Sequence, residues 1–76
     1  MTERALIFVA RFAHALHQLA PDYKLDVAAC DRIASAMLMQ TDVEALDLWA
    51  DAPEVDIRES ARIRIEHYIR AVRMVS

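Results

Sequence analysis

An all-α fold is what this sequence predicts: a compact bundle of three main helices plus one short acidic helix, with no β-sheet, in a single helical domain spanning residues 1–76. Three observations carry the prediction. Apolar residues recur at helical spacing in four separate segments. Thr41 with Glu44, and Asp56 with Glu59, have the spacing of a capping box, in which a polar N-cap precedes a carboxylate by three residues. Glycine is absent, proline occurs twice and alanine fourteen times. Alanine is the strongest helix former, and tight hairpin turns call for glycine. More than about two-thirds of the residues are therefore expected in helix.

The first helix is expected over residues 3–19, with Thr2 as its N-cap and Pro21 beyond its end. Ala5, Val9, Phe12, Leu16 and Leu19 alternate at four- and three-residue spacing. Leu6, Phe8, Ala13 and Ala15 widen that stripe to about half of the cylinder. Arg4, Arg11, His14 and Gln18 occupy the opposite face, with Ile7 out of place among them. Residues 20–24 form a connector. The second helix then runs over residues 26–39 with Asp26 as N-cap, burying Cys30, Ile33, Ala34, Met37 and Leu38. Asp31, Arg32 and Ser35 face water, and Met39 falls on their side.

A break after Gln40 opens a short helix over residues 42–50, capped by Thr41, with Val43 and Leu46 as its inward side chains and Trp49 read equally as a core plug or an interface anchor. Its early acids complement the helix dipole. Ala52 and Pro53 interrupt the pattern, and Pro53 is placed to open a turn into the last helix. That helix is expected over residues 56–74 with Asp56 as cap. Ile57, Ala61, Ile65, Tyr68, Ile69 and Val72 give its main stripe, and Ile63, His67, Ala71 and Met74 a second, weaker one. Two stripes on one helix imply contact on two sides.

Size and composition bound the function. A chain of 76 residues buries only about 60–65% of its unfolded surface and has a thin core. Yet 57% of the residues are apolar, above the ~45–50% usual for soluble domains. The excess points to a surface covered by a second copy or a partner, and Ile7, Ile63 and Met74, all off the main stripes, are assigned to a homodimer interface. Without glycine there is no phosphate-cradling loop and no dinucleotide fingerprint. Cys30 is the only cysteine, so no disulfide forms within the chain, which fits a reducing, cytoplasmic setting. The apolar run at residues 5–10 is cut by Arg11 and is too short to span a membrane, so no membrane partner is expected.

No reactive constellation accompanies this. His14 and His17 lie three apart on one helix but lack the further ligands a zinc site needs. Asp42, Glu44, Asp47 and Asp51 do not follow calcium-loop spacing. Cys30 sits on an apolar stripe, where burial would raise its pKa. No catalytic residue, metal or cofactor is assigned, and the protein is expected not to be an enzyme.

Charge is what remains. Residues 42–56 carry six carboxylates and no basic side chain, whereas residues 57–76 carry five arginines against two glutamates, within a net charge of only −3. A segment of one sign beside one of the other either pairs internally or steers a partner. Asp42, Glu44, Asp47, Trp49, Asp51 and Glu54 are assigned to a protein partner with a basic surface, Trp49 as anchor and the acids as its ring. The expected function is a small protein-binding module acting sterically on a macromolecule, as inhibitor, adaptor or regulatory subunit. Small acidic helical proteins of phages and mobile elements include stoichiometric inhibitors, anti-CRISPR proteins among them. That anti-defence analogy is one of size and character, with no motif behind it. The alternative is nucleic-acid binding through the Arg-rich last helix. It is disfavoured because Glu54, Glu59 and Glu66 stand three or four residues from Arg58, Arg62 and Arg70, the spacing of intrahelical pairs.

Overall fold

The computed structural model describes residues 2–75. It contains helices α1 (Glu3–Tyr23), α2 (Val27–Gln40), α3 (Val43–Trp49) and α4 (Glu54–Val75), and no strand among the described residues. The all-α bundle of three main helices and one short one is therefore what the chain forms. α4 has 22 residues and is about 33 Å long at the usual rise, so it sets the long axis of a 37 × 21 × 17 Å body.

One helix organises the others. α1 packs against α2, α3 and α4, and α4 also touches α2. Its side chains Phe8, Phe12 and Leu16 meet Cys30, Ile33 and Met37 from α2, Leu46 from α3, and Ile57 and Ile65 from α4. Ala5, Ala15, Ala20, Ala50 and Ala61 fill the crossings, where a small side chain lets backbones approach. No polar or charged residue is buried among the described residues, so the core is held by apolar burial alone, roughly 1.5–3 kcal/mol for each large side chain.

Helix starts follow local chemistry. The Thr2 hydroxyl accepts from the Ala5 N–H at 3.1 Å, and an Asp26 carboxylate oxygen accepts from the Ala29 N–H at 2.8 Å. Both caps are the predicted ones. At α3 the cap moves by one residue. Asp42, not Thr41, accepts from the Ala45 N–H at 3.3 Å, while Thr41 is extended (φ −118°, ψ 131°) and closes α2. At α4 the start moves earlier. Pro53 turns the chain, its carbonyl accepting from Asp56 at 3.0 Å and Ile57 at 3.2 Å. Asp56 thus lies inside the first turn beside Glu54, where carboxylates still meet the dipole, and does not cap.

The end of α1 also departs from the sequence pattern. The helix runs through Pro21 to Tyr23. Proline forfeits one ladder bond there, and the chain recovers two just beyond. Lys24 turns left-handed (φ 57°, ψ 41°), its N–H reaches the Pro21 carbonyl at 3.3 Å, and the Leu25 N–H reaches Ala20 at 3.0 Å. This pair of bonds is a Schellman motif, and Leu25 packs on the core beside it. Glycine would normally hold position 24. Lysine there carries a Cβ penalty of about 1–2 kcal/mol.

Candidate functional site

The acidic segment forms a shelf on the N-terminal half of α1. Among the described residues α3 packs on α1 and on no other helix. Leu46, 1% exposed, and the buried Ala50 fix it from below. Trp49 meets Phe8 edge-on, with ring centroids 5.7 Å apart at 61°, and Phe8 in turn stacks on Phe12 at 5.9 Å. The indole is held on one side and open on the other, 45% exposed. Its N–H meets no acceptor among the described residues.

Polar contacts from α1 hold the shelf in place. Arg4 Nη2 donates to Asp51 Oδ2 at 2.6 Å and to the Asp47 carbonyl at 3.3 Å. The Thr2 hydroxyl donates to Asp47 Oδ1. Arg11 Nη1 donates to the Ala50 carbonyl at 2.8 Å, closing the last turn of α3. The hydrogen bond and charge of Asp51 push the Arg4 guanidinium further above its ordinary pKa. The sequence leaves the six carboxylates without a counter-charge or pairs them with arginines of the last helix. The structure does something else for half of them. Asp51 and Asp47 are met from the start of α1, Asp42 caps its own helix, and Glu54, the first residue of α4, pairs within that helix with Arg58 at 3.2 Å.

Two of the six are left. Among the described residues Glu44 and Asp56 make no ion pair, and both are exposed. Exposed aliphatic side chains lie along the same stretch: Val43 at 43%, Leu48 at 77% and Val55 at 68%. Beside Trp49 a notch of about 340 Å³ opens between α1 and the start of α4. Phe8 and Ile57 form its floor, Trp49 and Ala52 its wall, and Asp56 and Ser60 its rim.

Much of the basic half is met within the molecule, with Arg73 making no ion pair among the described residues. Arg62 pairs with Glu59, its Nε 3.0 Å from Oε2, and with Glu66. These bonds raise the Arg62 pKa, and the Arg62 hydrogen bond holds the Glu59 carboxyl below its usual range. Arg70 approaches Glu66 at 3.9 Å, Arg64 donates to Gln40 Oε1 at 2.7 Å, and Arg32 donates to the Tyr68 hydroxyl at 3.2 Å. Ile63 and Met74, 43% and 87% exposed, lie eleven residues apart and hence on the same side of α4, away from its buried face. Ile7, 46% exposed, belongs to α1.

His14 and His17 are exposed on α1, and no group of three metal-ligating side chains forms among the described residues. Cys30 is buried, and desolvation, with Asp31 and Asp26 adding to it, pushes its thiol up, which favours the unreactive protonated form. No described helix is long and apolar enough to cross a membrane. Sequence patterning passes over Phe8, Leu48, Val55, Asp56, Arg4 and Arg11 as parts of this site. For Leu48 and Val55 the signal exists, since both are apolar residues off a helical stripe. For the two arginines it does not, because their partners lie about forty residues away. No known protein family, curated protein or solved structure matches the chain.

Proposed function

We propose that this protein is a binding module that acts sterically, without catalysis, by laying the α3 shelf against a basic surface of a protein partner. One observation carries the reading. An aromatic side chain, Trp49, is pinned by Phe8 yet half exposed and shares a notch with the unpaired carboxylate Asp56, while Glu44, Leu48 and Val55 are exposed along the same stretch of chain. Interfaces concentrate their energy in such a fixed aromatic anchor within a polar rim. The carboxylates steer the approach of a basic partner and the apolar side chains supply area. Occlusion of a partner's surface by a body of this size needs no reactive group, which suits an inhibitor, adaptor or regulatory subunit. Nucleic-acid binding through α4 has less support, because Arg58, Arg62 and Arg64 already have partners along the fold.

The decisive comparison uses residues that tie no helix to another. Asp47→Asn with Asp51→Asn would confuse binding with folding, since both side chains tie α3 to α1. Glu44→Lys with Leu48→Glu breaks no contact between helices and costs α3 only one first-turn carboxylate. Affinity capture of a stoichiometric partner should be lost in that double variant, while the thermal midpoint stays within a few degrees. Retention of the partner by this variant, together with its loss in Arg70→Glu/Arg73→Glu, would transfer the function to α4. The outer side of α4, with Ile63 and Met74, is also proposed to bring two copies together, with Ile7 a flanking contact. Sedimentation of Ile63→Lys/Met74→Lys as a monomer, against a dimeric parent, is the expected result.

A further inference from the structure

We propose that the notch beside Trp49 receives an arginine side chain of the protein partner. This rests on the shelf being the binding surface, and it names what enters. The notch has an apolar floor, Phe8 and Ile57, an indole wall and one carboxylate at its rim. An aliphatic side chain entering it would cover Asp56 and strip water from an unpaired charge, at a cost. An acidic side chain would be repelled by the same group. A basic side chain satisfies all three walls, with its methylene stem over Phe8 and Ile57, its charged head at Asp56 and its cation over the indole face.

Arginine fits better than lysine. Its guanidinium is flat, weakly hydrated and able to lie on an indole while donating sideways to a carboxylate, whereas the ammonium of lysine keeps a tight water shell. Charge favours the cation too. The free N–H groups of the first turn of α4 carry only about half a positive charge, which opposes a cation, and Glu54 and Asp56 in that turn set two full negative charges against it. Glu54 is neutralised by Arg58. Asp56 has no such partner among the described residues and remains the open counter-charge. Trp49 is already fixed by its edge contact to Phe8, so little side-chain entropy is lost on closing over a ligand.

The test is a nuclear magnetic resonance titration of the intact chain with N-acetyl-arginine methylamide. The matched probe is N-acetyl-citrulline methylamide, which has the same shape without the charge. The arginine probe should move the Trp49 indole resonance and the Ala52 and Ser60 amides saturably, and the citrulline probe should do so at least several-fold more weakly. Asp56→Asn should reduce the arginine affinity about two- to fivefold, the size of an exposed charge or cation–π contact. Ser60→Leu, which fills the notch from its rim and leaves the α4 first turn unchanged, should abolish the response. Equal shifts from both probes, an unchanged affinity in both variants, or shifts centred on Glu44 would overturn the proposal. The two readings also fail separately. Partner capture that survives Ser60→Leu but not Glu44→Lys/Leu48→Glu removes the notch and keeps the shelf.

Discussion

The body made of α1, α2 and α4 and the shelf made of α3 are held by different kinds of contact. The body interlocks Phe12, Leu16, Ile33, Met37 and Ile65, with no buried polar residue among the described residues. The shelf has seven helical residues and a single fully buried one, Leu46, and is otherwise positioned by Thr2, Arg4 and Arg11 reaching across from α1. A helix of that length is not stable by itself in water. The difference teaches where stability and availability part. Burial holds the body together everywhere at once, whereas the shelf is expected to open at a lower cost than the body, as binding elements drawn from the less stable end of a structure often do.

The largest expected effect tests the body. Phe12 is 0% exposed, and Phe12→Ala should cost about 3–5 kcal/mol, out of a total of about 4–11 kcal/mol for a chain this long. Urea unfolding should shift far toward zero denaturant, with circular dichroism and Trp49 fluorescence falling together. Helix content retained after Trp49 emission has changed would show that body and shelf are separable even there. Next comes Leu46→Ala, with about 2–5 kcal/mol lost at the shelf. Trp49 emission and the exchange of α3 amides should report early opening, while the main dichroism transition moves less than that loss. Coincident transitions would merge the two regions into one cooperative unit and remove the contrast. The smallest effect is a gain. Lys24→Gly should stabilise the body by about 0.5–1 kcal/mol, because glycine takes the left-handed conformation freely, although it also loosens the unfolded chain. Amide exchange within α3 should respond only as far as the whole protein does.

What the sequence made legible follows from how far each cause lies along the chain. Thr2 and Asp26 are caps whose acceptor and donor are three residues apart, so pattern alone finds them. Thr41 and Asp42 are both good caps, and the choice between them is made when Leu46 turns toward α1, a tertiary event. Pro21 reads as a stop. The helix passes through it because the Schellman turn at Lys24 seats Leu25 on the core, which no local rule registers. The shelf was half visible. Trp49 and the run of acids stand out in the sequence, but the division between Asp47 and Asp51, which brace the fold, and Glu44 and Asp56, which do not, depends on arginines far upstream.

The central position of α1 has a consequence for synthesis. This helix leaves the ribosome ahead of every element that covers it. Leu46 and Ile57, which close over its apolar face, follow Phe12 by roughly 35 to 45 residues, about 2–9 s of translation at ordinary rates. During that interval the stripe from Ala5 to Leu16 has at most α2 to lie against. The nascent chain is then most exposed to wrong pairings and most in need of a holding chaperone. A bundle centred on its last helix would keep its adhesive face hidden until the other parts were ready. This one displays it first.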